Sequence, residues 1–154
     1  MRLEQSEWQG VNMLVVIDTN KLLRMAAAYK TSPLFVAWRE GHFHLALSQE
    51  VLKEMVDVAT RPHTRHFVSP VRVQNFVSLA LSWAKFFEPV ADPTMPHCRD
   101  PKDDIIIATA IAAHAQFIVT CDGDLHDQPL ADRLRDEYGV RVVWPVEFLE
   151  TIRN

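Results

Sequence analysis

Short apolar runs that stop at a carboxylate constrain this chain more than any other feature. Leu14-Val15-Val16-Ile17 stops at Asp18, and Phe117-Ile118-Val119-Thr120 is followed, past Cys121, by Asp122 and Asp124. Asp103 and Asp104 open the apolar run from Ile105 to Ala113, and Glu54 sits in the segment from Ser48 onward. Runs of this length, rich in β-branched residues, suit strands buried in a parallel sheet. A strand that ends in a carboxylate delivers it to the C-terminal edge of the sheet, where α/β proteins place their sites. Carboxylates that converge there repel one another unless a divalent cation joins them. The pattern implies a Mg²⁺ or Mn²⁺ site, and with it phosphoryl chemistry.

The rest of the chain reads as strands alternating with helices. Strands are expected at 13–17, 42–47, 87–90, 117–120 and 140–144. Helices are expected at 20–30, from Ser32-Pro33 to Gly41, from Ser48 to Thr60, from Ser69-Pro70 to Trp83 or Phe86, at 103–114, at 129–138 and after Pro145. Ser before Pro supplies a cap and a preset first turn, and Gly closes a helix. Pro62 with its basic neighbours, and 92–101 with its three prolines, read as loops. The helix at 103–114 is apolar on every side, Thr109 being its only interior polar residue, so it is expected inside the domain. The fold class is therefore α/β, three layers around a mainly parallel sheet.

Length and composition fit one domain. With 154 residues, 48% of them apolar and 23% charged, a real core is affordable in size and disorder is excluded as the general state. That domain is expected at 13–154, behind a flexible leader at 1–12 that shows no periodicity; Met13 is an alternative start. A formal charge of −4 argues against nonspecific coating of nucleic acid but not against a nuclease, whose metal neutralises the acids locally. From Val58 to Phe87 the chain has no acid but carries Arg61, Arg65 and Arg72 with His63 and His66. This flank is either a surface for a phosphate-backbone substrate, with Arg61, Arg65 and Arg72 as candidate phosphate contacts, or a solvated helical one. Cys98 and Cys121 form no CxxC pair, which argues against zinc, and the expected compartment is the cytoplasm. No apolar run approaches a membrane span. HExxH, P-loop, GxGxxG and GxSxG patterns are all missing.

Each acidic position also has an ordinary explanation. Asp18 is well placed to cap the next helix. On a helical wheel Glu50, Lys53, Glu54 and Asp57 share the polar face, with Glu54 at its border next to Val58, able to lean inward. Asp103 and Asp104 favour the positive end of a helix, yet one cap needs one aspartate and the stretch from Asp100 offers three. Asp122-Gly123-Asp124 is a natural turn.

Taken in order, VVIDTN, an SxExxxE-type helix, RDPKDDIIIATA and FIVTCDGDL resemble the PIN-domain ribonucleases, and within them the VapC-like toxins of prokaryotic toxin–antitoxin pairs. The resemblance spans Met13 to Leu149. It implies an endoribonuclease dependent on Mg²⁺ or Mn²⁺, a homodimer, and an antitoxin that blocks the site. Carried over residue by residue, it implies catalytic roles for Asp18, Glu54, Asp104 and Asp122, with Asp18, Asp104, Asp122 and Asp124 on the metal. Asn20, Asp103 and Thr120 would support the pocket. Asp103 beside Asp104 leaves the third acid ambiguous by one residue. Two rivals remain open: a non-catalytic PIN-like module that binds RNA or protein, and a phosphoacceptor signalling domain. The latter needs an acid pair beside the first strand, where this chain has Asp18-Thr19-Asn20.

Overall fold

The computed structural model describes residues 13–89 and 92–153, so the leader expected at 1–12 lies outside the described residues. In chain order the elements are β1 (Leu14–Ile17), α1 (Thr19–Ala27), α2 (Pro33–Arg39), β2 (His44–Leu47), α3 (Gln49–Ala59), α4 (Pro62–Arg65), α5 (Pro70–Trp83) and β3 (Lys85–Phe86). A 3₁₀ turn (Pro101–Asp103) then leads into α6 (Asp104–Ala113), β4 (Phe117–Val119), α7 (Gln128–Tyr138), β5 (Arg141–Val143) and α8 (Pro145–Arg153).

Local chemistry sets most of these boundaries. The side chains of Asp18, Ser32, Ser48 and Ser69 each accept a hydrogen bond from a first-turn N–H, those of Lys21, Phe35, Val51 and Arg72. Gly139 ends α7 in the left-handed region at φ 70°, a conformation that costs glycine nothing. Three boundaries differ from the sequence expectation. Pro62 starts a helix instead of a loop, because its fixed φ suits a first turn even where four residues show no periodicity. The third strand lies at Lys85–Phe86, where Phe86 aligns with Leu47, and not at 87–90; Val90 is outside the described residues. The helix expected from Asp103 begins as a 3₁₀ turn, so Asp103 and Asp104 sit on different kinds of backbone.

The sheet has five strands in the order β3-β2-β1-β4-β5, and every pairing is parallel. Helices flank it, and no helix among the described residues is long and apolar enough to cross a membrane. β1 is the central strand, and Val15, Val16 and Ile17 are fully buried. The ends of the inner strands are flush. Asp18 N–H donates to the Val119 carbonyl at 3.2 Å, and Thr120 N–H donates to that of Val143 at 3.1 Å. The residues just past β1 and β4 therefore emerge side by side.

Helix α6 packs on β1, β2 and β4. Its interior hydroxyl is accounted for. Thr109 donates to the Ile105 carbonyl at 2.7 Å, so the 2.9 Å contact between Thr109 and Ser48 is donated by Ser48, whose oxygen in turn accepts from Val51 N–H at 3.2 Å. This buried relay fixes the start of α3 against α6. Thr109→Val should lower the unfolding free energy by about 1 kcal/mol, one net hydrogen bond. Ser48→Ala should cost about twice that, because it removes a helix cap as well. Urea unfolding of the two variants measures both.

Candidate active site

Past the C-terminal ends of β1 and β4 a cavity of about 500 Å³ opens, lined by Asp18, Glu54, Asp100, Asp103 and Asp122 among others. Asp18 caps α1 and faces the cavity at once. One oxygen accepts from Lys21 N–H at 2.8 Å, and the other accepts from the Thr120 hydroxyl. The Thr120 oxygen also accepts from Asp122 N–H at 2.9 Å, and Asp122 Oδ1 accepts from Asp124 N–H at 2.9 Å. Thr120 is fully buried, so a single hydroxyl ties the acid after β1 to the loop after β4.

Of the two adjacent acids, Asp103 is the one that lines this cavity. Its carboxylate makes no cap hydrogen bond, lines the cavity and hydrogen-bonds with that of Asp122. Asp104 is engaged elsewhere. Its Oδ1 accepts from Cys98 N–H at 2.7 Å, its Oδ2 lies 3.0 Å from His97 Nδ1, and it lines a different cavity beside Glu50. One helical step turns a side chain by about 100°, and here that step separates the acid pocket from the proline-rich loop. Carboxylate oxygens of Asp103, Asp122 and Asp124 lie within 4.8 Å of one another.

Electrostatics mark the same place. Burial, the hydrogen bond that protonated Asp103 donates to Asp122 and the charges of Asp122, Asp100 and Asp18 push the Asp103 carboxyl up to about 7. Burial also raises Asp18, against the hydrogen bonds from Thr120 and Lys21 that lower it. Burial pushes the Cys98 thiol up to about 11, which leaves it inert as a nucleophile. Cys121 is exposed at the cavity wall.

Other expected residues divide. Glu54 and Val58 both line the cavity, as the helical wheel required, while Glu50 and Asp57 are exposed. Asn20 lines it too, at an exposed position. Arg61, Arg65 and Arg72 do not. Arg61 and Arg65 are exposed on either side of His63 and Thr64, which do reach the cavity. Arg72 instead donates to the Ala27 carbonyl and lies over the Tyr29 ring, joining α5 to α1. The cavity's cations are ones that sequence reasoning passed over, Lys21, Arg24 and Lys102, and His63 of the basic flank lines it too. The available signal was spacing, since Lys21 and Arg24 follow Asp18 in steps of three on one helix face.

The folded protein holds the Asp103 proton more tightly than the unfolded chain does. Stability present below the ordinary value of 3.8 is therefore lost as pH rises towards about 7. The metal-free melting temperature should fall across that window, and Asp103→Asn should remove part of the fall. Mn²⁺ should raise the melting temperature more above pH 7 than below it, because binding must first displace that proton. Thermal melts over a pH series with and without Mn²⁺ provide the check.

A search of curated proteins found no match. Among solved structures, a chain in the crystal structure of VapBC2 from Rickettsia felis bound to a DNA fragment from their promoter is similar in fold, with a TM-score of 0.55 at 16% identity. The match covers 86% of this chain and 98% of that one. The PIN domain family profile matches residues 14–124, which run from the first residue of β1 to Asp124 and so take in every acid of the cavity. The chain belongs to the PIN domain family.

Proposed function

We propose that this cavity is the active site of a metal-dependent endoribonuclease and that the protein is the toxin of a toxin–antitoxin pair. The observation that carries this reading is the meeting of Asp18, Asp103 and Asp122, from three separate parts of the chain, in one cavity with Glu54. The donor set is all oxygen, which suits Mg²⁺ or Mn²⁺ and not a thiolate-preferring ion. Asp103, Asp122 and Asp124 would hold the ion, with Asp18 beside them. When bound, the ion makes a water more acidic and offsets charge on a phosphodiester.

The chain's own groups supply the remaining functions. Asp18 keeps a fixed direction because both of its oxygens are hydrogen-bonded. Thr120 holds that direction and the Asp122 loop together. Glu54, brought in by α3, is proposed to orient the attacking water. The attack is by water, so no covalent nucleophile is required, in keeping with the inert Cys98. Arg61 and Arg65, flanking His63, are proposed outer contacts for the RNA backbone. An antitoxin partner is proposed from the likeness to VapBC2, and a homodimer and a cytoplasmic location from the resemblance in sequence.

Cleavage of single-stranded RNA should require Mn²⁺ or Mg²⁺ and stop in EDTA. Asp103→Asn and Asp122→Asn should each lower the rate by more than roughly 100-fold, beyond what outer partners of a metal site cost. Asp104→Asn should cost less than about tenfold, since an amide oxygen can still accept from Cys98 N–H. Equal losses at positions 103 and 104 would contradict the assignment of the third acid.

Expression should arrest growth, and Asp18→Asn should relieve the arrest. Asn caps helices as well as Asp does, so that variant keeps its fold while losing a charge at the site. Colony counts with circular dichroism of the purified variant decide the matter. Arrest that persists in a folded Asp18→Asn protein speaks for a non-catalytic binding module.

A further inference from the structure

The acidic cavity has a basic wall that the proposed hydrolysis leaves without a role. Lys21 and Arg24 line it from α1, one turn apart. Like charges at that spacing repel, and Lys21 lies in the first turn, where the helix dipole disfavours a cation. Among the described residues neither forms a salt bridge, although five carboxylates line the same cavity. Arg24 is nonetheless held in place. Its guanidinium carbon lies 3.9 Å from the centre of the Phe67 ring, itself part of the cavity wall. Stacking covers one face of the guanidinium and leaves its N–H edge available, oriented in advance. The volume of about 500 Å³ far exceeds what a cation and its waters fill, at roughly 30 Å³ per water.

We propose that Lys21 and Arg24, backed by Phe67, form a subsite for a phosphate of single-stranded RNA next to the one that is cut. The inference rests on the nuclease reading of the same cavity. Charge is met twice along the strand: the scissile phosphate lies at the acid cluster, and its neighbour lies against the basic wall. Two fixed contacts one phosphate apart set where on the strand the cut falls. A concave cavity takes a splayed single strand and not a duplex.

The test is fluorescence anisotropy of a labelled single-stranded RNA with the full chain in EDTA, where no turnover occurs, over a salt series. Arg24→Ala should weaken binding about tenfold and make the plot of log K against log salt shallower by about 0.7, the single-strand value for one phosphate. Lys21→Ala should do the same. Arg24→Lys should keep the slope and lose part of the affinity, because charge survives and the stacked orientation does not. Arg24→Gln serves as a second neutral variant. The rise in melting temperature caused by Mn²⁺ should match wild type in Arg24→Ala, showing that fold and acids are intact. An Arg24→Ala protein with unchanged affinity, or with weaker affinity at unchanged slope, overturns the subsite while leaving the nuclease standing. A wild-type protein that binds no RNA at any salt overturns the subsite too, while the absence of RNA cleavage in Mn²⁺ is what overturns the nuclease reading.

Discussion

Carboxylates held within reach of one another repel, and the C-terminal edge of this sheet is organised around that repulsion. Each acid is restrained by donors that compensate part of its charge. Asp18 takes the Lys21 N–H and the Thr120 hydroxyl, and Asp122 takes the Asp124 N–H. At Asp103 burial and then the neighbouring acids push the carboxyl up to about 7. The parallel sheet makes this possible, because flush strand ends put residues 18 and 120 next to each other without a loop having to reach. The Ser48–Thr109 relay plays the corresponding part for α3, which carries Glu54.

Much of this was legible in the sequence, for identifiable reasons. Ser32, Ser48 and Ser69 announced their helices because a capping hydroxyl is a local requirement. Asp18, Glu54 and Asp122 were legible because strand direction and helical phase fix where a side chain emerges. Which of Asp103 and Asp104 lines the cavity was not, since neighbours differ only by a rotation that the preceding 3₁₀ turn alters. The basic wall was missed for another reason. Lys21 and Arg24 look like ordinary surface charges on a helix, and only the arrival of Phe67 from far along the chain gives Arg24 its position. Arg72, a conspicuous cation in the sequence, ties α5 to α1, a contact that nothing local announced.

Asp104 shows how two adjacent acids divide their work. One end of the proline-rich segment is tied to α6 by the Cys98 N–H and His97 contacts to this carboxylate. Another point is tied to α7, where Arg133 donates to the Thr94 carbonyl at 2.6 Å. The segment from Thr94 to Cys98 is thereby pinned at two places, and Cys98 is left against Asp103, with its sulfur 3.8 Å from a carboxylate oxygen. Asp104 thus bears on the cavity through the backbone next to it and not through its own carboxylate.

The order of strands in the sheet has a temporal side. β1 leaves the ribosome first yet sits in the middle, between β2 and β4. Its Asp18 is separated from Thr120 by 102 residues of chain. Synthesis is vectorial, so Asp18 must wait for those 102 residues before the hydroxyl that orients it and the Asp122 loop exist. No nascent chain that stops short of Asp122 can hold the complete set of acids, so the pocket is complete only once β4 and the loop after it have been made.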